Sequence, residues 1–132
     1  MTQENYPTLV EHPSATDFES TMRRLVEAID AAGMTVFARI DHAAGAREAG
    51  LDMPPTVLLL YGNPKGGTPI MISAPRAALD LPLRVLLREA SDGQTLLSFH
   101  PIVPLLREVG VRTEMAVRLQ PAQELLLKAL RP

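Results

Sequence analysis

Cysteine is missing from this sequence altogether. Disulfides, thiolate metal sites, iron–sulfur clusters and cysteine nucleophiles are thereby excluded. Tryptophan is absent too, and there are only 3 Phe and 2 Tyr, which leaves little for stacking on bases or sugars. Long apolar runs are also lacking. The longest purely aliphatic stretches are Val57–Leu60 and Leu125–Leu127, far short of the roughly 20 residues a membrane-spanning helix needs. No charge of one sign dominates: Lys and Arg total 13, Asp and Glu 15, for a formal net charge of −2. The arginines are scattered, so neither a nucleic-acid surface nor an acidic tail is implied. The N-terminal MTQENYPTLVEH has no basic segment followed by an apolar one, so the expectation is no signal peptide and a cytoplasmic location. The spacings HxxxH and HxH do not occur, and no metal or cofactor is predicted.

What is present fits one ordinary domain over residues 1–132, with 46% hydrophobic and 21% charged residues. Thr8 to Glu11 favours a short strand. Thr16 and Glu19 have the spacing of a capping box, and Phe18, Met22, Leu25, Val26 and Ile29 then share one helical face up to a stop at Gly33. Met34 to Ile40 reads as a strand, with Met34, Val36, Ala38 and Ile40 on one side. Asp41 is placed to cap a short helix, HAAGAREAG, that closes at Gly50. After Pro54–Pro55, the apolar run Thr56 to Tyr61 reads as a central strand buried on both faces. Two short helical pieces follow, one ending at Ala74 and one in RAALDL. Arg84 to Glu89 and Gln94 to His100 form a hairpin around Ser91-Asp92-Gly93. Pro101 to Glu108 and Ala122 to Leu130 read as helices. Between them Val111, Thr113, Met115, Val117 and Leu119 alternate with Arg112, Glu114 and Arg118, a strand pattern.

The stretch YGNPKGGTPIMISAP, from Tyr61, carries the sharpest functional question. Gly62 and Gly67 have the separation of the phosphate-binding loop G-x-x-x-x-G-K-[ST], and a strand precedes them. Thr68 stands where that loop has its lysine, and Pro69 where it has its hydroxyl, so that loop is excluded. Thr68-Pro69 is nevertheless a good helix start, a hydroxyl cap followed by proline at the first position. Free N–H groups there, with Lys65 beside them, could hold a small anion. The competing reading makes the glycines and Asn63-Pro64 a simple turn.

Two histidines lie at strand ends. His42 follows Asp41, and His100 precedes Pro101. If those ends share one edge of the sheet, His42 and His100 converge with Asn63, near Asp41 or Asp80. Such a set could do acid–base work or bind a divalent metal. The bland reading keeps isolated histidines as structural groups. His12 is read as a surface residue, and Met22, Met71 and Met115 as core. Neither Ser73 nor Ser98 sits in a nucleophile elbow.

The ordered set Phe18, Arg24 and Leu25; Ile40-Asp41-His42; Gly50-Leu51; Gly62-Asn63-Pro64, Gly67-Thr68-Pro69 and Met71; Ala74-Pro75; and Leu79-Asp80-Leu81-Pro82 resembles the domain-of-unknown-function 302 family. The resemblance covers about residues 8–101, followed by a tail over 101–131. Phe99-His100-Pro101 departs from the family pattern, which has an acid at the position of His100. The resemblance implies an α+β domain with a mostly antiparallel sheet of about five strands. It further implies helices packed on one face and a helical C-terminal tail, hence helix over 111–119. It supplies no activity. Three readings stand. The first is a small-molecule or anion-binding domain using Gly62, Asn63, Lys65, Gly67 and Thr68 with the Asp41-His42 corner and His100. The second is a structural or interaction module, such as a homodimer. The third is an enzyme with His42 as acid or base.

Overall fold

The computed structural model describes residues 6–132; the first five residues of the N-terminal segment considered above lie outside it. Five strands form one open sheet in the order β1-β5-β4-β3-β2, every neighbouring pair antiparallel. They are β1 (Val10–Pro13), β2 (Thr35–Asp41), β3 (Thr56–Gly62), β4 (Leu83–Glu89) and β5 (Thr95–Phe99). Helix α1 (Phe18–Ala31) crosses over between β1 and β2, α2 (His42–Glu48) connects β2 to β3, and α3 (Pro64–Ser73) with a 3-10 turn (Pro75–Leu79) connects β3 to β4. The tail is helical throughout: α4 (Ile102–Glu108), α5 (Thr113–Ala116), a 3-10 turn (Val117–Leu119), α6 (Gln120–Glu124) and a last 3-10 turn (Leu125–Leu130). The α+β class, the five antiparallel strands and the helical tail agree with expectation. The alternation over 111–119 is not a strand: Met115 and Ala116 are buried on a helical turn, with Val117 and Leu119 packed at the core margin.

The core forms where α1 and the tail cover one face of the sheet. Val57, Leu59 and Tyr61 of β3, Leu83, Val85 and Leu87 of β4, and Leu97 and Phe99 of β5 point into it. Phe18, Met22, Leu25 and Ile29 answer from α1, and Ile102, Val103, Leu106, Leu126 and Leu130 from the tail. The α1 stripe is the one read from the sequence; its cap is not. Asp17, not Thr16, caps α1, its carboxylate accepting from the Ser20 amide at 2.8 Å. Thr16 instead joins Ser14 around the buried Thr21 hydroxyl, at 2.9 and 2.6 Å from it. A carboxylate next to the first turn is favoured by the helix dipole, and the hydroxyls are consumed in satisfying a buried one.

Two strand expectations are corrected. β3 is interior but not buried on both faces. Val57, Leu59 and Tyr61 are buried while Leu58 and Leu60 are half-buried, the alternation of a sheet covered on one side. β4 is the middle strand. In β2 the register to β3 shifts between Val36 and Ala38. Val36 lies opposite the inward-facing Tyr61, whereas Ala38 and Ile40 lie opposite Leu60 and Leu58. The inserted residue, Phe37, breaks the single stripe expected of Met34, Val36, Ala38 and Ile40, as a bulge does in a period-two strand. The β4–β5 hairpin forms as expected, with Gly93 at φ 87° and the Asp92 carboxylate accepting from the Gln94 amide.

One buried side chain fastens the tail to the sheet. Gln123 accepts from the Ile102 amide at 2.8 Å and donates to the His100 carbonyl at 2.9 Å, closing the corner where β5 turns into α4. Replacing it by leucine leaves two backbone groups without partners. The expected cost is about 2–4 kcal/mol, read as a lowered denaturant midpoint with unchanged slope.

Candidate functional site

The apolar run of β3 ends at Tyr61, whose ring is fully buried and whose hydroxyl donates to the Ala122 carbonyl at 2.9 Å. A buried phenol needs such a partner. This bond draws the tail over the end of β3, just where the chain turns into α3. That turn is made by Asn63, not by Thr68. The Asn63 side-chain oxygen accepts from the Lys65 amide at 2.9 Å, and its carbonyl accepts from Gly66 and Gly67 at 2.9 and 3.0 Å. Pro64, which has no N–H to offer, takes the first helical position. The Gly62–Thr68 segment is therefore the end of a strand and the first turn of a helix. Its early N–H groups are already used, so the backbone cradle expected for an anion is not formed. Thr68 and Pro69 lie inside α3.

A cavity of about 720 Å³ opens between this turn and the tail. Met34 just before β2, Phe37 of β2 and Leu60 of β3 contribute, with Met71 from α3, Leu81 and Pro82 before β4, Leu83 at its start, and Leu119, Pro121 and Ala122 from the tail. Gly62, Gly66 and Gly67 line it with backbone. Its polar side chains are Asn63, Thr68 and Arg118. A Cβ at Gly66 would lie 3.7 Å from Leu119, and one at Gly67 3.7 Å from Leu81 and 3.9 Å from Met71. These are ordinary contact distances, and neither glycine has a positive φ. The absent side chains leave room; they relieve no strain.

The other predicted residues fall elsewhere. Asp41 pairs with Val57 and Thr35 with Gly62. The Asp41-His42 corner thus lies five residue steps along β3 from Gly62, about 17 Å at roughly 3.3 Å per step. Asp41 caps α2 as expected, accepting from the Ala44 amide at 2.9 Å, and His42 is exposed. His100 is at the same end as Asn63 because β5 and β3 run the same way, but β4 separates the two strands. Its Nδ1 lies 2.6 Å from the Thr8 carbonyl, and it lines a second cavity of about 350 Å³ with Asp80 and Arg84. So His42, His100 and Asn63 do not converge. Lys65 is exposed and does not line the large cavity. Among the described residues no three His, Asp or Glu side chains gather as a metal site.

Sequence reasoning missed the tail wall. Tyr61 at the end of a buried strand signalled a hydrogen-bond partner, but nothing in the sequence pointed to Ala122, and Arg118 looked like one more scattered arginine.

An open five-stranded antiparallel sheet, covered on one face by a long helix and a helical tail and holding an apolar cavity at one end, defines an α+β domain with an apolar cleft. The chain belongs to the family described as Domain of unknown function DUF302, whose profile matches residues 10–131. It is similar to a crystal structure of an uncharacterized conserved DUF302 protein from Bacillus stearothermophilus, with a TM-score of 0.80 and 18% identity, covering 93% of this chain and 95% of that one. It is also similar to the fluoride-specific ion channel FluC 1 of Brucella suis biovar 1, with 37% identity over 112 residues, 83% of this chain and 44% of that protein. A fluoride-specific ion channel FluC 2 of Brucella melitensis biotype 1 matches with 37% identity over 83% of this chain and 42% of its own length. The chain spans less than half the length of these curated relatives. The family has no assigned function, and no helix among the described residues is long and apolar enough to cross a membrane.

Burial raises the pKa of Tyr61 above its ordinary value of 10.0. The unfolded chain therefore gives up this proton first as pH rises, and stability that is fully present below pH 10 falls above it. A melting temperature that drops above about pH 10 in the wild type, with a visibly weaker drop in Tyr61→Phe, is the expected result. Below that pH the variant should lose about 1 kcal/mol with the Ala122 bond.

Proposed function

We propose that this domain binds a small, largely apolar molecule in the cavity between the start of α3 and the tail. The observation that carries the reading is the cavity itself. Its volume of about 720 Å³ lies within the roughly 300–1,000 Å³ of ligand sites, and like them it joins an apolar lining to a few polar groups. The two consecutive glycines support it. Gly66 and Gly67 sit in a helix, where each costs about 0.5–1 kcal/mol against alanine, and any side chain longer than a methyl there would extend into the lining. Of the predicted site residues, Gly62, Asn63, Gly67 and Thr68 belong to this reading; Asp41, His42, Lys65 and His100 do not. An enzymatic role for His42 finds no support: of its predicted partners only the adjacent Asp41 is near, and that carboxylate caps α2, while Asn63, Thr68 and His100 lie toward the other end of β3. The cytoplasm remains the proposed compartment.

Ion conduction is not carried over from the Brucella relatives. The sheet here is open, with edges at β1 and β2, and no helix among the described residues is long and apolar enough to cross a membrane. The part of those relatives that this chain matches is proposed to accompany an ion path and not to form one.

A thermal-shift panel of small apolar and amphipathic compounds tests the reading. A ligand at about 100 times its Kd should add about 2.7 kcal/mol. Gly67→Ala should keep or raise the melting temperature, and Gly67→Leu should abolish the ligand's shift by filling the cavity. A panel that leaves the wild type unmoved overturns the reading.

A second reading, self-association through the outer sheet face, is favoured by the half-burial of Leu58, Leu86 and Leu96 there and by Ile40 at 40% exposure. Antiparallel sheets open to water usually carry polar residues at such positions. Sedimentation should then show a dimer that Leu86→Lys converts to a folded monomer; a monomeric wild type ends this reading.

A further inference from the structure

We infer that the molecule held by this cavity is an amphipathic anion, an apolar body ending in a carboxylate, and that Arg118 reads its charge. The inference rests on the cavity being a small-molecule site and adds the ligand's chemical class.

Among the described residues Arg118 is the only charged side chain lining the cavity, and no Asp or Glu does. It stands on the 3-10 turn Val117–Leu119, beside the cavity-lining Leu119. It forms no ion pair or hydrogen bond with another described residue. The neighbouring arginine of the tail differs: Arg112 pairs with Glu114 at 3.5 Å. The other polar groups of the lining are also donors left over. The Asn63 amide oxygen is taken by the Lys65 amide, which leaves the Asn63 amide nitrogen to donate. The Thr68 hydroxyl has no partner among the described residues. A guanidinium, an amide N–H₂ and a hydroxyl thus border one apolar space with no acid among them. Such a set favours an acceptor-rich, negatively charged group. The guanidinium fork in particular matches the two oxygens of a carboxylate. The apolar remainder of the lining, from Phe37 to Met71, excludes a small hydrated anion as the whole ligand, since nothing there would replace its water. A body of aliphatic or aromatic carbon fits.

Calorimetric titration with decanoate, decanol and decylamine, each kept below its aggregation concentration, separates the two levels of the claim. Decanoate is expected to bind the wild type about tenfold more tightly than decanol, the worth of a charge-assisted hydrogen bond at an exposed arginine, and decylamine more weakly than either. Arg118→Met should erase the decanoate preference and leave decanol unchanged. Arg118→Lys should restore part of it, with added salt reducing the remainder, and Arg112→Met, outside the cavity, should behave as wild type. Equal affinities for decanoate and decanol, or a preference that survives Arg118→Met, overturn the anion inference while the cavity reading stands. No binding of any of the three to the wild type overturns both.

Discussion

The hydrogen bond from Tyr61 to the Ala122 carbonyl holds the rest of the arrangement together. The tail it grips is built of pieces three to seven residues long. Helices that short do not persist in water by themselves, so their conformation depends on what they pack against. Leu106, Leu126 and Leu130 provide the apolar part of that anchorage, which is non-directional. Direction comes from two polar ties, Tyr61 to Ala122 and Gln123 to the β5–α4 corner. Both ties act on adjacent residues of α6, and together they fix where Leu119 and Arg118, just upstream, come to lie. The cavity wall is thus a consequence of these three hydrogen bonds.

The opposite wall has a different origin. Asn63 ends β3 and begins α3 in one residue, its side chain and carbonyl satisfying three N–H groups at once. A helix that starts this early carries Gly66 and Gly67 within its first turns, where their missing side chains face Leu119 and Leu81 across the cleft. Had Thr68 been the cap, the glycines would form a loop and their N–H groups would be free. The single-residue choice of cap therefore decides between an anion nest and an apolar cleft. Here the apolar cleft results.

These choices explain which features could be read from the sequence. The α1 stripe, the Asp41 cap, the hairpin at Asp92-Gly93 and the β3 run are local patterns with a period or a turn chemistry behind them, and each is found in place. Asn63 and Thr68 both precede a proline and both are good caps; the local sequence does not rank them, and packing of Ile70 into the core favours the earlier start. The Phe37 bulge leaves no mark on the alternation of β2. The His42–His100–Asn63 convergence required knowing strand direction, since antiparallel pairing sends the ends of β2 and β3 to opposite edges. Residues 111–119 show periodicity misleading outright, because a turn of helix followed by a 3-10 turn buries Met115 and Ala116 without any regular spacing. Family resemblance corrected that segment where pattern did not. The Gly62–Thr68 part of the candidate site was legible as a place, but its partner surface on the tail lay over fifty residues away, joined only through tertiary contacts.

The two walls of the cavity are therefore held in different ways. The floor belongs to β3 and the start of α3, tied into the five-stranded ladder and the Asn63 cap. The facing wall is a 3-10 turn and a one-turn helix, held at Ala122 and Gln123 and outside the strand ladder. Segments of this kind occupy the low-stability end of a native structure. Arg118 stands on that wall, and Asn63 and Thr68 stand on the floor. A group contacting all three would join the tail segment to the strand-and-helix floor across the cleft, adding to the Tyr61 and Gln123 ties from the outside. The energetic gain from such contacts would be shared between ligand affinity and stability of the tail, because the same residues serve both.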